Sequence, residues 1–481
     1  MIGTTKHQAS LFYIAFGGEA SLIKDDLLEP LDALLEDQEL IDMVREKLGQ
    51  RRPQSKRLGR TGIAPDRLVR LAVLKHLKQW SFRELQREVR CNLVYRRFTR
   101  FDHERIPNFS NLSRAMAALG PETVEQIHAR VVQIAHSRRV APGRRLRTDT
   151  TVVETNIHYP TDSTLLGDAI RVLQRSAKRI AGECAPCSVQ VVDHSRTAKR
   201  RIMEIHTAAR SLTEAGKAKM KNSYGRLLSV ARSVVRDAQA LSDQVAKGAL
   251  KIIGNEKRVL GAAMQLEHFV PLAKRVIEQT KARVFDGNVR FEGKVLSLFE
   301  THTVAIRKGK AHKPTEFGRL VRVDEVENGI VSHFVVTDGN PADVTGFKPA
   351  VSQHVEIFGR APQLATGDRG FFSAANERQA QDAGVQRVVL PGRGPVSATR
   401  KKKQKERWFR RGLKWRAGIE SRIATLKHCF DMARVKYKDD RGFKSGVGWS
   451  VIAHNLVSIA RLQKAHAIKE NKENAKHKAA A

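Results

Sequence analysis

Hydrophobic positions along the chain fall into two periodicities. Residues 1–48 read as amphipathic helix ending near Gly49, and the basic, Pro- and Gly-bearing stretch 50–61 reads as a linker. From Ala64 to Val140 the pattern is helical throughout, with Leu68, Leu71, Ala72, Leu74 and Leu77 at three- and four-residue spacing. Ser81 with Glu84 forms a capping-box pattern after a turn at Gln79–Trp80, and further helices are expected from near Ser110 and Pro121. At Arg144 the texture changes, and the Thr- and Val-rich residues 145–153 predict a strand. Residues 165–285 return to helical spacing with many Lys and Arg. Strand signals resume at 296–300 and run through 319–337, where Asn328-Gly329 marks a hairpin turn. A helix over 343–358, a strand at 363–367, a helix at 373–383 and a strand at Arg387–Leu390 follow. A basic loop (391–405) then leads to a long helix through about residue 432.

With 165–285 set aside, the order is strand, strand, strand, helix, strand, helix, strand, helix. That order describes a mixed sheet flanked by helices and is the order of the ribonuclease-H-like α/β fold. The helical block then stands as a large insertion after the first strand, and an all-α region precedes the sheet. The expected organisation is a helical N-terminal DNA-binding region (1–140), a first core strand (141–164), the helical insertion (165–290), the rest of the catalytic core (291–463) and a frayed basic tail (464–481).

Charge narrows the functional class. The 481 residues carry 87 Lys+Arg against 50 Asp+Glu, a formal net charge of +37, while 41% hydrophobic residues suffice for a packed core. So basic a chain calls for a polyanion, and nucleic acid is the usual one. No apolar run reaches the ~20 residues of a membrane span. Lys24, Asp25 and Asp26 follow the first apolar stretch, which argues against a secretory signal. Four cysteines exclude a disulfide scaffold and fit a reducing cytoplasm. The expected location is therefore the cytoplasm.

Three acids stand out against this charge. Asp149 lies in the first strand, Asp368 at the carboxyl end of a later strand between Gly367 and Arg369-Gly370, and Glu420 on the long basic helix. Ligand groups in open α/β sheets gather beyond the carboxyl ends of strands. Arg416, Glu420 and Lys427 share one helical face. Hard cations such as Mg²⁺ need only a few carboxylates, and two of them can clamp the attacking and leaving oxygens of a phosphodiester. In that arrangement Asp149 bridges two ions, Asp368 and Glu420 each complete one, and Arg416 and Lys427 hold phosphate oxygens. Taken singly, Asp368 also reads as a turn residue, Asp149 as a strand residue and Glu420 as a salt-bridged helix residue. Their joint placement on this strand order favours the catalytic reading.

With these motifs in view, the chain resembles the DDE transposases of bacterial insertion sequences, and within them the ISNCY-type group. The likeness runs from about residue 60 to 463. Residues 65–70, 81–85 and 92–96 resemble the helical N-terminal domain of such enzymes. RTDTTVVETNIHYPTDS matches the first catalytic aspartate at Asp149, TGDRGFFSAAN the second at Asp368, and RAGIESRIATLK the Tyr-x2-Arg-x3-Glu-x6-Lys signature through Arg416, Glu420 and Lys427. Leu413 stands where the signature has tyrosine. The resemblance implies an enzyme that binds the terminal inverted repeats of its element. Using two Mg²⁺ ions (Mn²⁺ as substitute), it hydrolyses the phosphodiester at each end and joins the freed 3′-hydroxyl to target DNA. Two ends must meet, so a homodimer is expected on DNA. A nuclease of the same fold without strand transfer, or a non-catalytic DNA-binding remnant, are the alternatives.

Further stretches bear on DNA contact. The run 400–411 combines Lys401, Lys402, Lys403, Arg407, Arg410 and Arg411 with Trp408 and Phe409, which suits strand ends or flipped bases. The runs 306–313 and 464–481 are basic without aromatics of that kind. Around Asn340-Pro341, Asn340 reads as a helix cap with Asp343 in the opening turn. His158 sits in a polar turn after the first strand. Cys184-x2-Cys187, with His194 and His206, lacks the spacing of a zinc finger.

Overall fold

A computed structural model describes residues 2–3, 23–51, 54, 61–102, 104–185, 191–307 and 314–480. It divides into two compact units, Met1–Asn156 with Ile306–Ala481, and Ile157–Ala305.

The first unit begins with helices α1 (Leu28–Leu34), α2 (Gln38–Gly49), α3 (Pro65–Lys78), α4 (Phe82–Cys91), α5 (Leu93–Phe98) and α6 (Phe109–Ser137). The single helix expected over 1–48 is two helices within the described part, because Asp37 caps α2 through Leu40 N–H at 3.0 Å and starts a new turn there. The Ser81–Glu84 capping box forms as its spacing predicts. The start expected near Pro121 is also present: α6 breaks at Gly120 (φ 70°), so Pro121 opens a second helical segment. These helices share a core with Trp449, Ile452, Leu456 and Ile459 of the last helix, α15 (Asp439–Ala480).

The sheet holds strands β1 (Arg145–Thr155), β2 (Val304–Ile306), β3 (Glu316–Glu325), β4 (Val331–Val336), β5 (Leu364–Thr366), β6 (Arg387–Val389) and β7 (Arg434–Val435). Its order is β2-β3-β1-β5-β6, with β4 also on β3 and β7 on β1. β1 runs antiparallel to β3 and parallel to β5 and β7. The β3–β4 hairpin turns at Asn328 (φ 58°) and Gly329 (φ 77°), the left-handed pair that Asn-Gly favours. Helices α11 (Phe347–Phe358), α12 (Ala374–Asp382), α13 (Ala398–Lys405) and α14 (Arg407–Cys429) flank the sheet.

Four local expectations are corrected. Residues 296–300 form no strand: the Ser297 hydroxyl accepts the N–H groups of Phe299 and Glu300 at 3.2 and 3.1 Å and holds a turn. The loop expected over 391–405 contains α13, started by Ser397 capping Arg400 N–H at 3.2 Å. Asn340 is not a cap, since the turn Asp343–Gly346 is preceded by Ala342 and continues into α11. The tail expected to fray is helical to Ala480, consistent with a stretch after Trp449 that has neither Gly nor Pro and is rich in Ala and Lys.

The second unit contains α7 (Asp162–Glu183), α8 (Ser195–Ala208), α9 (Glu214–Ala246) and α10 (Glu256–Val284), packed around Leu166, Leu173, Leu227, Leu266 and their neighbours. Buried Asp162 pairs with Arg283 at 3.0 Å, and His158 lies 3.6 Å from Asp168. Cys187 and residues 308–313 lie outside the described residues. Among those residues no helix is long and apolar enough to cross a membrane.

Candidate active site

Register brings the two strand-borne acids together. β1 and β5 pair in parallel with Arg147 opposite Thr366. Asp149 and Asp368 each lie two residues beyond this last pair, at the same end of neighbouring parallel strands spaced about 4.8 Å apart. Asp149 accepts the Thr150 N–H at 2.7 Å, and Asp368 accepts the Gly370 N–H at 2.8 Å, capping the turn Arg369–Phe371. Along this edge β5 pairs only with residues 145–147 and β7 only with Glu154 and Thr155. The β1 backbone between them is left to other partners, and Lys427 Nζ donates to the Val152 carbonyl at 2.6 Å.

Lys427 belongs to α14, which packs along β1, β5 and β6. The seat of this helix is ionic. Arg147, on the same strand face as Asp149, donates to Glu325 at 2.9 and 2.5 Å and to the Trp415 carbonyl, and lies 4.8 Å from the Trp415 ring. Arg422 reaches the same Glu325 at 3.3 Å and donates to His454 Nε2 at 2.8 Å. Glu325 is 0% exposed. Gly418 lies against the Arg147 guanidinium, where a Cβ would collide with it, so the glycine marks close packing inside a formed helix.

Arg416 and Glu420 do share a face and pair at 3.1 Å, with side chains 21% and 67% exposed. Glu420 is thus turned to solvent. Among the described residues no three His, Cys, Asp or Glu side chains converge closely enough to hold a metal ion. The donor chemistry nevertheless fits a Mg²⁺-type ion, which takes one or two carboxylate oxygens and keeps several waters.

The basic run divides in two. Lys401, Lys402, Arg407, Arg410 and Arg411 are exposed, and Lys403 leans to Glu377 at 3.6 Å. Trp408 is half-buried, bonded through Nε1 to Glu406. Phe409 is 0% exposed, which corrects its reading as a DNA-stacking ring: it packs inside, one turn before Gly412, which meets Val389. On the other face of β1, Thr148 donates to buried Asp324 at 2.6 Å and Thr150 to Asp343 at 2.7 Å. Burial alone would raise the Asp324 carboxyl, but Arg322, His333 and Thr148 outweigh it and hold it below the usual carboxylate value. Sequence reasoning missed Thr150, Glu325 and Arg422, and took Asp343 only as a capping residue; their partners are far away in the chain.

A mixed sheet flanked by helices, with acids following neighbouring parallel strands and on a basic helix, is the arrangement expected of a ribonuclease-H-like fold. Comparison with family models sharpens this. A Transposase domain (DUF772) matches residues 18–117, and a Transposase DDE domain matches residues 302–456. The chain belongs to the DDE transposases of insertion sequences, DNA phosphoryl-transfer enzymes that use divalent metal ions, typically Mg²⁺. Neither the curated proteins nor the solved structures gave a match. The DDE match includes Asp368 and Glu420 but begins after Asp149, so Asp149 rests on the strand register.

Proposed function

We propose that Asp149, Asp368 and Glu420 are the catalytic carboxylates of this transposase, and that the helical unit 157–305 is an insertion after the first core strand. The observation that supports this reading is the parallel pairing of β1 and β5, after whose last pair, Arg147 and Thr366, both aspartates follow by two residues. Asp149 and Asp368, with Glu420, would hold two Mg²⁺ ions, which supply Lewis-acid activation and charge neutralisation at the scissile phosphate. The chain's own part is to bind and orient. Arg416, half-buried and paired with the exposed Glu420 at 3.1 Å, would turn to phosphate oxygens when DNA enters. Lys401, Lys402, Lys403, Arg407, Arg410 and Arg411 line the backbone of the element end, and Trp408 supports a base at its edge. Lys427 holds α14 against β1 through the Val152 carbonyl, so its effect on DNA positioning runs through the helix.

The products follow from this. Hydrolysis at the terminal inverted repeat frees a 3′-hydroxyl, and the same site then presents that hydroxyl to a target phosphodiester. The two ends are brought together by two copies of the chain. The Arg416, Glu420 and Lys427 spacing supports placement in the ISNCY-type group. In the helical unit, Arg196, Lys199, Arg200 and Lys219 line one groove of α8 and α9 around exposed Met203, which supports an additional phosphate contact. The test is incubation of the full chain with its element ends and Mg²⁺ or Mn²⁺, with products mapped at nucleotide resolution. Nicking at the element 3′ end followed by joining is expected. Nicking without joining would reduce the protein to a nuclease.

A further inference from the structure

We infer that Asp343 is a positioning residue that ties the two strand-borne carboxylates to one another, through Thr150 to Asp149 and through Gly370 to Asp368. The inference rests on the catalytic reading of those two aspartates.

Each link is short. Thr150 gives its N–H to Asp149 Oδ1 at 2.7 Å and its hydroxyl to Asp343 Oδ1 at 2.7 Å. The other Asp343 oxygen faces Gly370: a Cβ at that position would lie 2.8 Å from Asp343 Oδ2 and 3.0 Å from Asp368 Oδ1. Gly370 N–H in turn donates to Asp368 Oδ1 at 2.8 Å. The Gly370 backbone therefore sits between two carboxylates, with room for no side chain.

The frame around this bridge is rigid. Asn376, which is buried, donates from Nδ2 to the Val344 carbonyl at 2.7 Å and to the Phe371 carbonyl at 2.8 Å. It staples the turn opened by Asp343 to the turn capped by Asp368. Phe347 and Phe371, with ring centroids 6.3 Å apart, fill the space beneath. Asp343 thereby fixes the threonine whose N–H is bonded to Asp149.

Outer partners of metal-holding carboxylates typically contribute 10–100-fold to metal affinity. The full-length variants Thr150→Val, Asp343→Ala and the double variant test the bridge, with Thr150→Ser as the conservative control. Three quantities are measured: Mn²⁺ binding by the loss of free-ion electron paramagnetic resonance signal, element-end cleavage against Mn²⁺ concentration, and the thermal unfolding midpoint. Each single variant should weaken Mn²⁺ binding about tenfold and shift the cleavage curve equally, with end binding unchanged. The double variant should be no worse than Asp343→Ala, because that change already removes the Thr150 hydroxyl's acceptor. Thr150→Ser should restore the native curve. Should Asp343→Ala fail to fold, Thr150→Val carries the test alone. Unchanged Mn²⁺ binding in a folded variant would overturn the inference, as would a cleavage loss that no metal concentration relieves. Full cleavage by Asp149→Ala would instead overturn the catalytic reading beneath it.

Discussion

The strand-borne acids and the helix-borne acid are held in different ways. Asp149 and Asp368 are fixed by sheet register and by N–H groups one and two residues away. Glu420 has no such local support. Its carboxylate pairs with Arg416 one turn earlier and is 67% exposed. What places it is the seat of α14, and that seat depends on Arg147, Glu325 and Arg422. The sheet side of the site is therefore pre-formed, while the helix side is positioned at one remove.

The largest expected effects come from the acids themselves. Asp149→Ala, Asp368→Ala and Glu420→Ala should each lower cleavage more than about 100-fold, since even outer partners of a metal ligand contribute 10–100-fold. End binding should persist, because affinity comes from phosphate contacts elsewhere. Conservative changes separate the two regions. Asp149→Glu and Asp368→Glu lengthen a side chain in a fixed frame and should fail like alanine. Glu420→Asp, on an exposed helix face, should retain measurable cleavage. Equal collapse of all three in a cleavage assay would break the comparison.

The next effect concerns the seat. Glu325→Gln leaves Arg147 buried and Arg422 half-buried without their shared anion. Breaking a buried pair in this way costs about 3–5 kcal/mol. Urea unfolding should show that loss, and cleavage at saturating metal should fall with it. A stable, fully active Glu325→Gln variant would show that α14 is seated by packing alone.

Much of the fold was legible because its signals are local. The Ser81–Glu84 box, the break before Pro121, the Asn328-Gly329 hairpin and the β5-α12-β6 alternation each lie within a few residues of chain. The misreadings arose where tertiary partners decide. Phe409 was read with its basic neighbours, yet it packs inward because Gly412 lets α14 approach Val389. Asp343 was read as a capping residue because Asn340-Pro341 precedes it, while its carboxylate serves Thr150 across the sheet. The acids themselves could be picked out by type and spacing, but nothing in the sequence ties Glu325 to Arg147 and Arg422. The antiparallel register of β1 on β3 brings Glu325 to Arg147, and the packing of α14 along β1 brings Arg422 to the same carboxylate.

Mild acid should loosen the helix side through histidine. Burial and the neighbouring Arg422 charge push His454 down to about 3, and burial pushes His128 and His354 down to about 4. His454 must be neutral to accept from Arg422. These folded values lie below the unfolded value near 6.5. The stability they contribute is complete above about pH 6.5 and is lost as pH falls toward the folded values. Each histidine removes up to about 1.4 kcal/mol per pH unit in that window. The thermal midpoint should drop between pH 7 and pH 5, and His454→Gln should make the drop shallower. A flat profile over that range would mean that these rings are hydrated and do not hold the seat.

The smallest effect tests the seat at a single atom. Alanine in place of an interior helical glycine normally stabilises by about 1 kcal/mol. At Gly418 the sign should reverse. The added Cβ meets the Arg147 guanidinium, and this is not a flexible side-chain end: both Glu325 oxygens and the Trp415 carbonyl hold it. Either α14 moves outward by a few tenths of an ångström or Arg147 gives up a bond. Glu420 lies two residues further along and moves with the helix. Gly261, inside α10, has open space around its Cα and supplies the matched control. Gly261→Ala should raise the thermal midpoint without changing cleavage, whereas Gly418→Ala should lower both by a modest amount. If both substitutions stabilise alike, Arg147 is free to move aside, and the helix-borne acid is then seated by the apolar contacts of Ile419 and Leu426, which are buried on the same helix.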